Sequence, residues 1–232
     1  MCTQTINCYR SCIDKNFLLP DDLMKTALEI ISELRIKATT GRPSIEINRA
    51  LNGIYYLLKT GILWKALPKC FGSSSAVHRM FQKLIAARFF KILWTQELYD
   101  YNEKHGLKLE TQVGDAAHIK SPIGGDKTGK SPVDRRKLGT KRTIIVDQNG
   151  IVLGASLGGG NQHDSQLIYA AIKSIPKNIV QPIHKKMLLD AGYDYEFIEA
   201  MLFSTNYIPK ICHSKRRSKK RIRAVRTTVA WC

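Results

Sequence analysis

The chain predicts an α/β protein in two parts: a helical module first, then a domain built on one mixed sheet. Three observations carry that reading. Apolar residues recur at helical spacing up to about residue 98 and at alternating spacing from about residue 111. The second half runs strand, hairpin, helix, strand, helix, strand, an order that gives a single sheet with helices packed on it. Finally, 232 residues with 44% hydrophobic and 24% charged content suffice for a small domain beside a medium one. The expected division is an arm and helix over 1–39, a helical module over 40–105 and the sheet domain over 110–232.

Residues 21–36, DDLMKTALEIISELRI, open with two acids and place Leu23, Ala27, Ile30, Ile31 and Leu34 at helical spacing. KATTGRPS then breaks the pattern. SIEINRALNGIYYLLKTG predicts a helix capped by Ser44, with Ile47, Leu51, Ile54, Tyr55 and Leu58 on one face and Gly61 as its stop. SSSAVHRMFQKLIAARFFKILWTQEL starts with three serines suited to capping. It turns Val77, Phe81 and Leu84 inward and His78, Arg79, Gln82 and Lys83 outward. Two helices across a tight connection suggest a helix-turn-helix that binds DNA through His78, Arg79 and Lys83. A helical bundle with a basic surface accounts for the same spacing, and no sharp motif separates the two.

YNEKHGLK reads as a linker. TQVGDAAHI is a strand whose first run ends at Asp115, and KRTIIVDQNGIVLGASLG is a hairpin turning at Asn149-Gly150. DSQLIYAAIKSI is a helix capped by Asp164, with Leu167, Ile168, Ala171, Ile172 and Ile175 inward. KKMLLDAG is an apolar strand that delivers Asp190 to its end. YEFIEAMLF is a helix and NYIPKIC a short strand.

Charge narrows the partners. With 37 Lys and Arg against 19 Asp and Glu, the net charge of +18 favours polyanions, nucleic acid first and anionic membrane second. No run of about 18 apolar residues spans a bilayer, and MCTQTINCYRSC lacks the apolar core of an export signal, so a cytoplasmic protein is expected. Cysteines 2, 8, 12, 70, 212 and 232 read as reduced thiols, because Cys8 and Cys12 have no second pair at zinc-finger spacing.

Two patterns could carry chemistry. GGDKTGKS, residues 124–131, matches the phosphate-loop pattern, which would imply nucleotide hydrolysis through Lys130. That mechanism needs a strand leading in and a helix leading out. HIKSPI lies between Asp115 and the loop, and PVDRRKLGTKR offers no apolar helical face, so the match is read as coincidence. The second pattern is the pair Asp115 and Asp190. Carboxylates at neighbouring strand ends bind hard divalent cations, and two ions about 3.5–4 Å apart can serve both oxygens of a phosphodiester displacement. Turn or cap roles account for the same two aspartates. The cations between them, Lys127, Lys130, Arg135, Arg136, Lys137, Lys141 and Arg142, form either a phosphate-backbone track or a solvated loop.

VGDAAHIKSP, GGDKTGKSPVDRRKLGTKRTIIVDQNGIVLGASLGGGNQHDSQL, LLDAGYDYEF and YIPKI together resemble the DDE transposases of bacterial insertion sequences, more narrowly the insertion-sequence-five type. GRPSIEINRALNGIYYLLKTGILWKALPKCFGSSSAVHRMFQKL is similar to the helical domain that precedes catalysis in that family. The resemblance covers about residues 40–232. It implies a ribonuclease-H-like domain, DNA strand cleavage and transfer with Mg²⁺ or Mn²⁺, and catalytic and metal-holding roles for Asp115 and Asp190. It also implies double-stranded element-end and target DNA as partner, a homodimer, and a bacterial cytoplasm at the nucleoid. Lys130, Arg135, Arg136, Lys137, Lys141 and Arg142 fall beside the acids as DNA-backbone contacts, whereas Asp194, Asp147 and Asp164 with His163 are expected to be structural.

The match fails at one place. The family's third acid belongs to a late stretch that here reads AVRTTVAWC, which puts Arg226 where the glutamate would stand, and no acid follows Glu199. The expectation is a catalytic domain that ends early and is impaired, because a lost oxygen ligand and an added guanidinium both weaken the hold on a cation. The rival from another class is a non-catalytic DNA-binding protein that represses transposition. Nine Lys and Arg between 210 and 226 would bind nucleic acid without reading sequence.

Overall fold

The structure, a computed structural model, describes residues 13–34, 44–132 and 134–212. The chain forms two compact units, divided between Asp100 and Tyr101.

The first unit is helical. α1 spans Asp21–Glu33, α2 Ile47–Thr60 and α3 Ser74–Ala86, and α4, Phe89–His105, begins in this unit and crosses the division after Asp100. α2 buries Ala50, Leu51, Asn52, Gly53 and Ile54, so Leu51 and Ile54 face inward as expected and Ile47 packs against the core, whereas Leu58 is 61% exposed. Its N-cap is Glu46 rather than Ser44, with no side-chain cap bond. Gly61 ends it as expected, in the left-handed conformation (φ 69°) that only glycine adopts without strain. Asn52, buried among apolar side chains, is satisfied: its Oδ1 accepts from Leu19 N at 2.9 Å and its Nδ2 donates to Asn48 O at 2.9 Å. The core gathers Ala27, Ile31, Ile54, Phe71, Val77, Leu84 and Phe89.

Ser73 caps α3, accepting from Ala76 N at 3.3 Å. The single long helix expected over 73–98 is two helices, because Arg88 takes a positive φ of 57° between α3 and α4. The second helix then runs through Tyr101–His105, a stretch whose polar composition predicts a linker.

The second unit carries a six-stranded mixed sheet: β1 Thr111–Lys120, β2 Gly129–Lys130, β3 Leu138–Val146, β4 Val152–Gly159, β5 Lys185–Leu189 and β6 Tyr207–Ile211. The main order is β4-β3-β1-β5-β6, with the two-residue β2 also on β3. β1 pairs antiparallel with β3 and parallel with β5, and β6 is parallel to β5. α5, Asp164–Ser174, links β4 to β5, and α6, Glu196–Ser204, links β5 to β6. Two parallel crossovers advancing in one direction place both helices on the same face when each is right-handed.

That face is the core: Ile145, Leu153, Ile168, Met187, Leu189, Ile198 and Leu202 are buried. Gly114 has no side chain because one would strike it; a Cβ there would lie 2.7 Å from Leu189 and 2.8 Å from Ile168. The other face keeps Val113, Val152, Leu157, Leu188 and Ile208 exposed by a third or more. At the foot of the sheet, Gln112 looks misplaced in a strand interior yet is fully paired. It donates to Leu109 O and Gln181 Oε1 and accepts from the Tyr207 hydroxyl at 2.8 Å. Lys185 rests its ammonium over the Tyr207 ring, 4.4 Å from the centroid.

Candidate active site

Asp115 lies midway along β1, not at its end, because antiparallel pairing with β3 continues from Val113 to Lys120. On the other edge β1 comes free much earlier. The parallel ladder with β5 stops at Val113↔Leu188, and the two strands part there. Two residues past that last rung, on both strands, stand Asp115 and Asp190. Side chains alternate along a strand, so both acids follow Val113 and Leu188 onto the open face, on neighbouring strands about 4.8 Å apart in a regular sheet. Both residues are exposed. A cavity of about 510 Å³ opens beside them, lined also by Gly114, Leu189, Lys210 and Cys212.

Local hydrogen bonds set the two carboxylates. Asp115 Oδ1 accepts from Ala116 N at 2.8 Å. Asp190 caps the turn Ala191–Tyr193, its Oδ1 accepting from Gly192 N at 3.1 Å. Among the described residues no group of three or more His, Cys, Asp or Glu is placed to hold a metal. Two exposed carboxylates nonetheless suit Mg²⁺, a hard ion that keeps several waters and is commonly held by one or two carboxylates.

Behind the acids lies Tyr193, a residue that spacing alone does not single out, although it follows Asp190 in LLDAGYD. Tyr193 is 2% exposed. Its hydroxyl is held well above the ordinary tyrosine range, first by burial and then by the Asp164 carboxylate. Asp190 and Asp115 add to the rise, and the neighbouring Thr143 hydroxyl opposes it. Asp164 does not cap α5. His163 does, accepting from Ser165 N, while Asp164 forms an ion pair with Lys141 at 3.0 Å.

The cations expected to meet DNA fall into three groups. Arg135, Arg136 and Lys137 are exposed in the β2–β3 connection, the two arginines at positive φ (47° and 58°), and Lys130 is exposed on β2. Arg142 pairs with Ala117 across the strands, one pleat beyond Asp115↔Ile144, which sets it on the face of the acids. Lys141 points the other way: its ammonium donates to Gln162 O at 2.9 Å and meets Asp164, leaving the side chain 15% exposed. Its partners are therefore internal. In the helical unit, Arg79 is exposed, Lys83 half-buried, and His78 packs edge-on against Trp64 at 4.7 Å and contacts Gln82. The connection from Gly61 to Ser73 holds two 3₁₀ turns, longer than the three or four residues of a helix-turn-helix. Arg226 lies outside the described residues.

The phosphate-loop reading finds no support in the geometry. Gly129–Lys130 is a strand pairing with Leu138–Gly139, and the residues after it turn back into β3 instead of opening a helix. Asp147, in the hairpin turn, is a structural clasp: Oδ1 accepts from Asn149 N and Ile151 N at 2.8 Å, and Oδ2 from Lys108 N at 3.1 Å.

Comparison with known proteins places this arrangement. Residues 107–229 match the family described as "Transposase DDE domain". The chain belongs to the DDE transposase family. Residues 19–94 of this DDE transposase match a second model, "Putative transposase of IS4/5 family". A curated relative, the putative transposase for insertion sequence element IS402 of Burkholderia cepacia, is 34% identical over 101 residues, which is 41% of this chain. The match spans about half of that relative, 47% of its length. Among solved structures, the Mos1 transposase paired-end complex with left transposon end covers 75% of this chain and 60% of its own at 12% identity and TM-score 0.32. The catalytic domain of Mos1 mariner transposase covers 58% and 78% at 11% identity and TM-score 0.30. Those scores are too low to add to the argument. The β4-β3-β1-β5-β6 order and the family match give the ribonuclease-H-like fold. Among the described residues, no helix is long and apolar enough to cross a membrane.

Proposed function

We propose that this DDE transposase binds double-stranded DNA and acts on its phosphodiester backbone through a divalent-metal centre held by Asp115 and Asp190. One observation carries the reading: two exposed acids at matching positions past the last rung of a parallel ladder, on one face and beside one cavity. Mg²⁺ or Mn²⁺ bound there would polarise the phosphate and lower the pKa of an attacking oxygen. The chain's own residues orient and attract. Asp115 is held by Ala116 N and Asp190 by Gly192 N, so both present oxygen without reorganising. Arg142 on the same face, with Lys130, Arg135, Arg136 and Lys137 on the neighbouring hairpin, draws the phosphate backbone to the acids. Arg79 and Lys83 supply a further basic surface on the helical module. Element ends and target DNA are the substrates, and two copies acting together suit a reaction on two ends.

Cleavage by this chain is weak, because Arg226 stands where the resemblance puts the third acid. The test is Mn²⁺-dependent nicking of a duplex that carries the element end. The unaltered chain should nick it slowly, Arg226→Glu should raise the rate at least tenfold, and Asp115→Asn in that background should abolish it. Strong cleavage by the unaltered chain would overturn the impairment. Salt-dependent DNA binding without nicking in either form would instead select the non-catalytic repressor.

A further inference from the structure

Two buried hydroxyls, those of Thr143 and Tyr193, make no hydrogen bond of full geometry among the described residues, and beside them lies the buried Asp164 Oδ1, whose one close partner is the Lys141 ammonium at 3.0 Å. Buried polar atoms are seldom left this way, and a cluster of them marks a network with a role. Thr143 sits on β3 directly across from Ala116, the residue after Asp115. Asp164 opens α5 and is tied to β3 through Lys141. Tyr193 closes the short turn that Asp190 opens, its N–H donating to Asp190 O at 3.2 Å. Asp190, Ala191 and Gly192 are all exposed, and the turn goes under cover only at Tyr193 and Asp194.

We propose that Tyr193 is a positioning residue for the Asp115–Asp190 centre: its buried hydroxyl, set between Thr143 and Asp164, bolts the Asp190 turn to β3 and α5. This rests on reading Asp115 and Asp190 as a metal centre. The ring alone would fill the space, so phenylalanine would serve if packing were the whole role. The hydroxyl adds direction. It ties the turn to the strand paired with β1 and, through Asp164, to the Lys141 ammonium. Without it the turn keeps its cover but not the tether that sets how far Asp190 stands from Asp115. Partners of this kind, one shell out from a metal, change its affinity by about 10–100-fold when removed.

The experiment measures Mn²⁺ binding to the full chain by the loss of the free-ion electron paramagnetic resonance signal, alongside thermal unfolding. Tyr193→Phe should weaken Mn²⁺ binding about tenfold while the midpoint of unfolding moves by no more than a few degrees. Asp164→Asn should weaken it similarly, and the double variant should be no worse than the poorer single one, since both remove the same link. Should Tyr193→Phe lower the midpoint strongly, Thr143→Val decides, and about threefold weaker binding is expected. Unchanged affinity in Tyr193→Phe and Thr143→Val, with binding still lost in Asp115→Asn, overturns the positioning role and leaves the centre standing. No Mn²⁺ binding by the unaltered chain, or binding unaffected by Asp115→Asn, overturns the centre itself.

Discussion

Gln112 and Tyr207 show how one side chain decides whether a polar residue belongs in a strand. Gln112 is wholly buried, and its carbonyl is satisfied by the Tyr207 hydroxyl at 2.8 Å across β6 and β1. Tyr207→Phe keeps the ring under the Lys185 ammonium but strands that carbonyl. The expected loss is about 1–3 kcal/mol, read by urea denaturation, whereas a change below about 0.5 kcal/mol would place water there instead. Asp115 and Asp190 stand out in the sequence as candidates, because at each an apolar run gives way to a carboxylate. Residue direction was not legible. Lys141 and Arg142 are adjacent cations in one basic block, yet strand alternation sends one inward to Asp164 and the other to the open face. Their pairing with β1 fixes which goes where, and a charge run does not encode that pairing.

The β2–β3 connection is the element on which DNA binding should depend most. Ser131 N donates to Lys137 O at 2.9 Å and closes it, while Arg135 and Arg136 sit exposed at positive φ. Replacing Arg135, Arg136 and Lys137 by alanine should weaken binding across unrelated duplexes. It should flatten the plot of log K against log salt by about three, at roughly 0.9 for each phosphate no longer neutralised. Filter binding over a series of salt concentrations reads this out, and an unchanged slope would remove the hairpin from the DNA path. Strand and helix types were largely legible from period, as β1, the β3–β4 hairpin, α5 and β6 show. Boundaries were not where tertiary structure overrides local signals. Ser44 is a better cap than Glu46 by type, and nothing in AARFF announces the turn at Arg88.

At the scale of the whole molecule, the proposed function gives a charge of +18 and a ribonuclease-H-like sheet a single purpose, which is to hold a polyanion against a pair of acids. Composition supplied the polyanion, and the order of elements supplied the sheet. What neither could supply is the register that brings two acids far apart in the chain to the same level, because pairing depends on Gly114 admitting Leu189 and Ile168 beneath the strand. The most direct measurement replaces Mg²⁺ with Fe²⁺ and lets ascorbate and peroxide cut the backbone next to the bound ion. Cuts close to both Asp115 and Asp190, suppressed by excess Mg²⁺ and abolished together in Asp115→Asn or Asp190→Asn, are the predicted result. Cuts at one segment only, or a pattern that survives either substitution, would show that the two carboxylates do not share a metal.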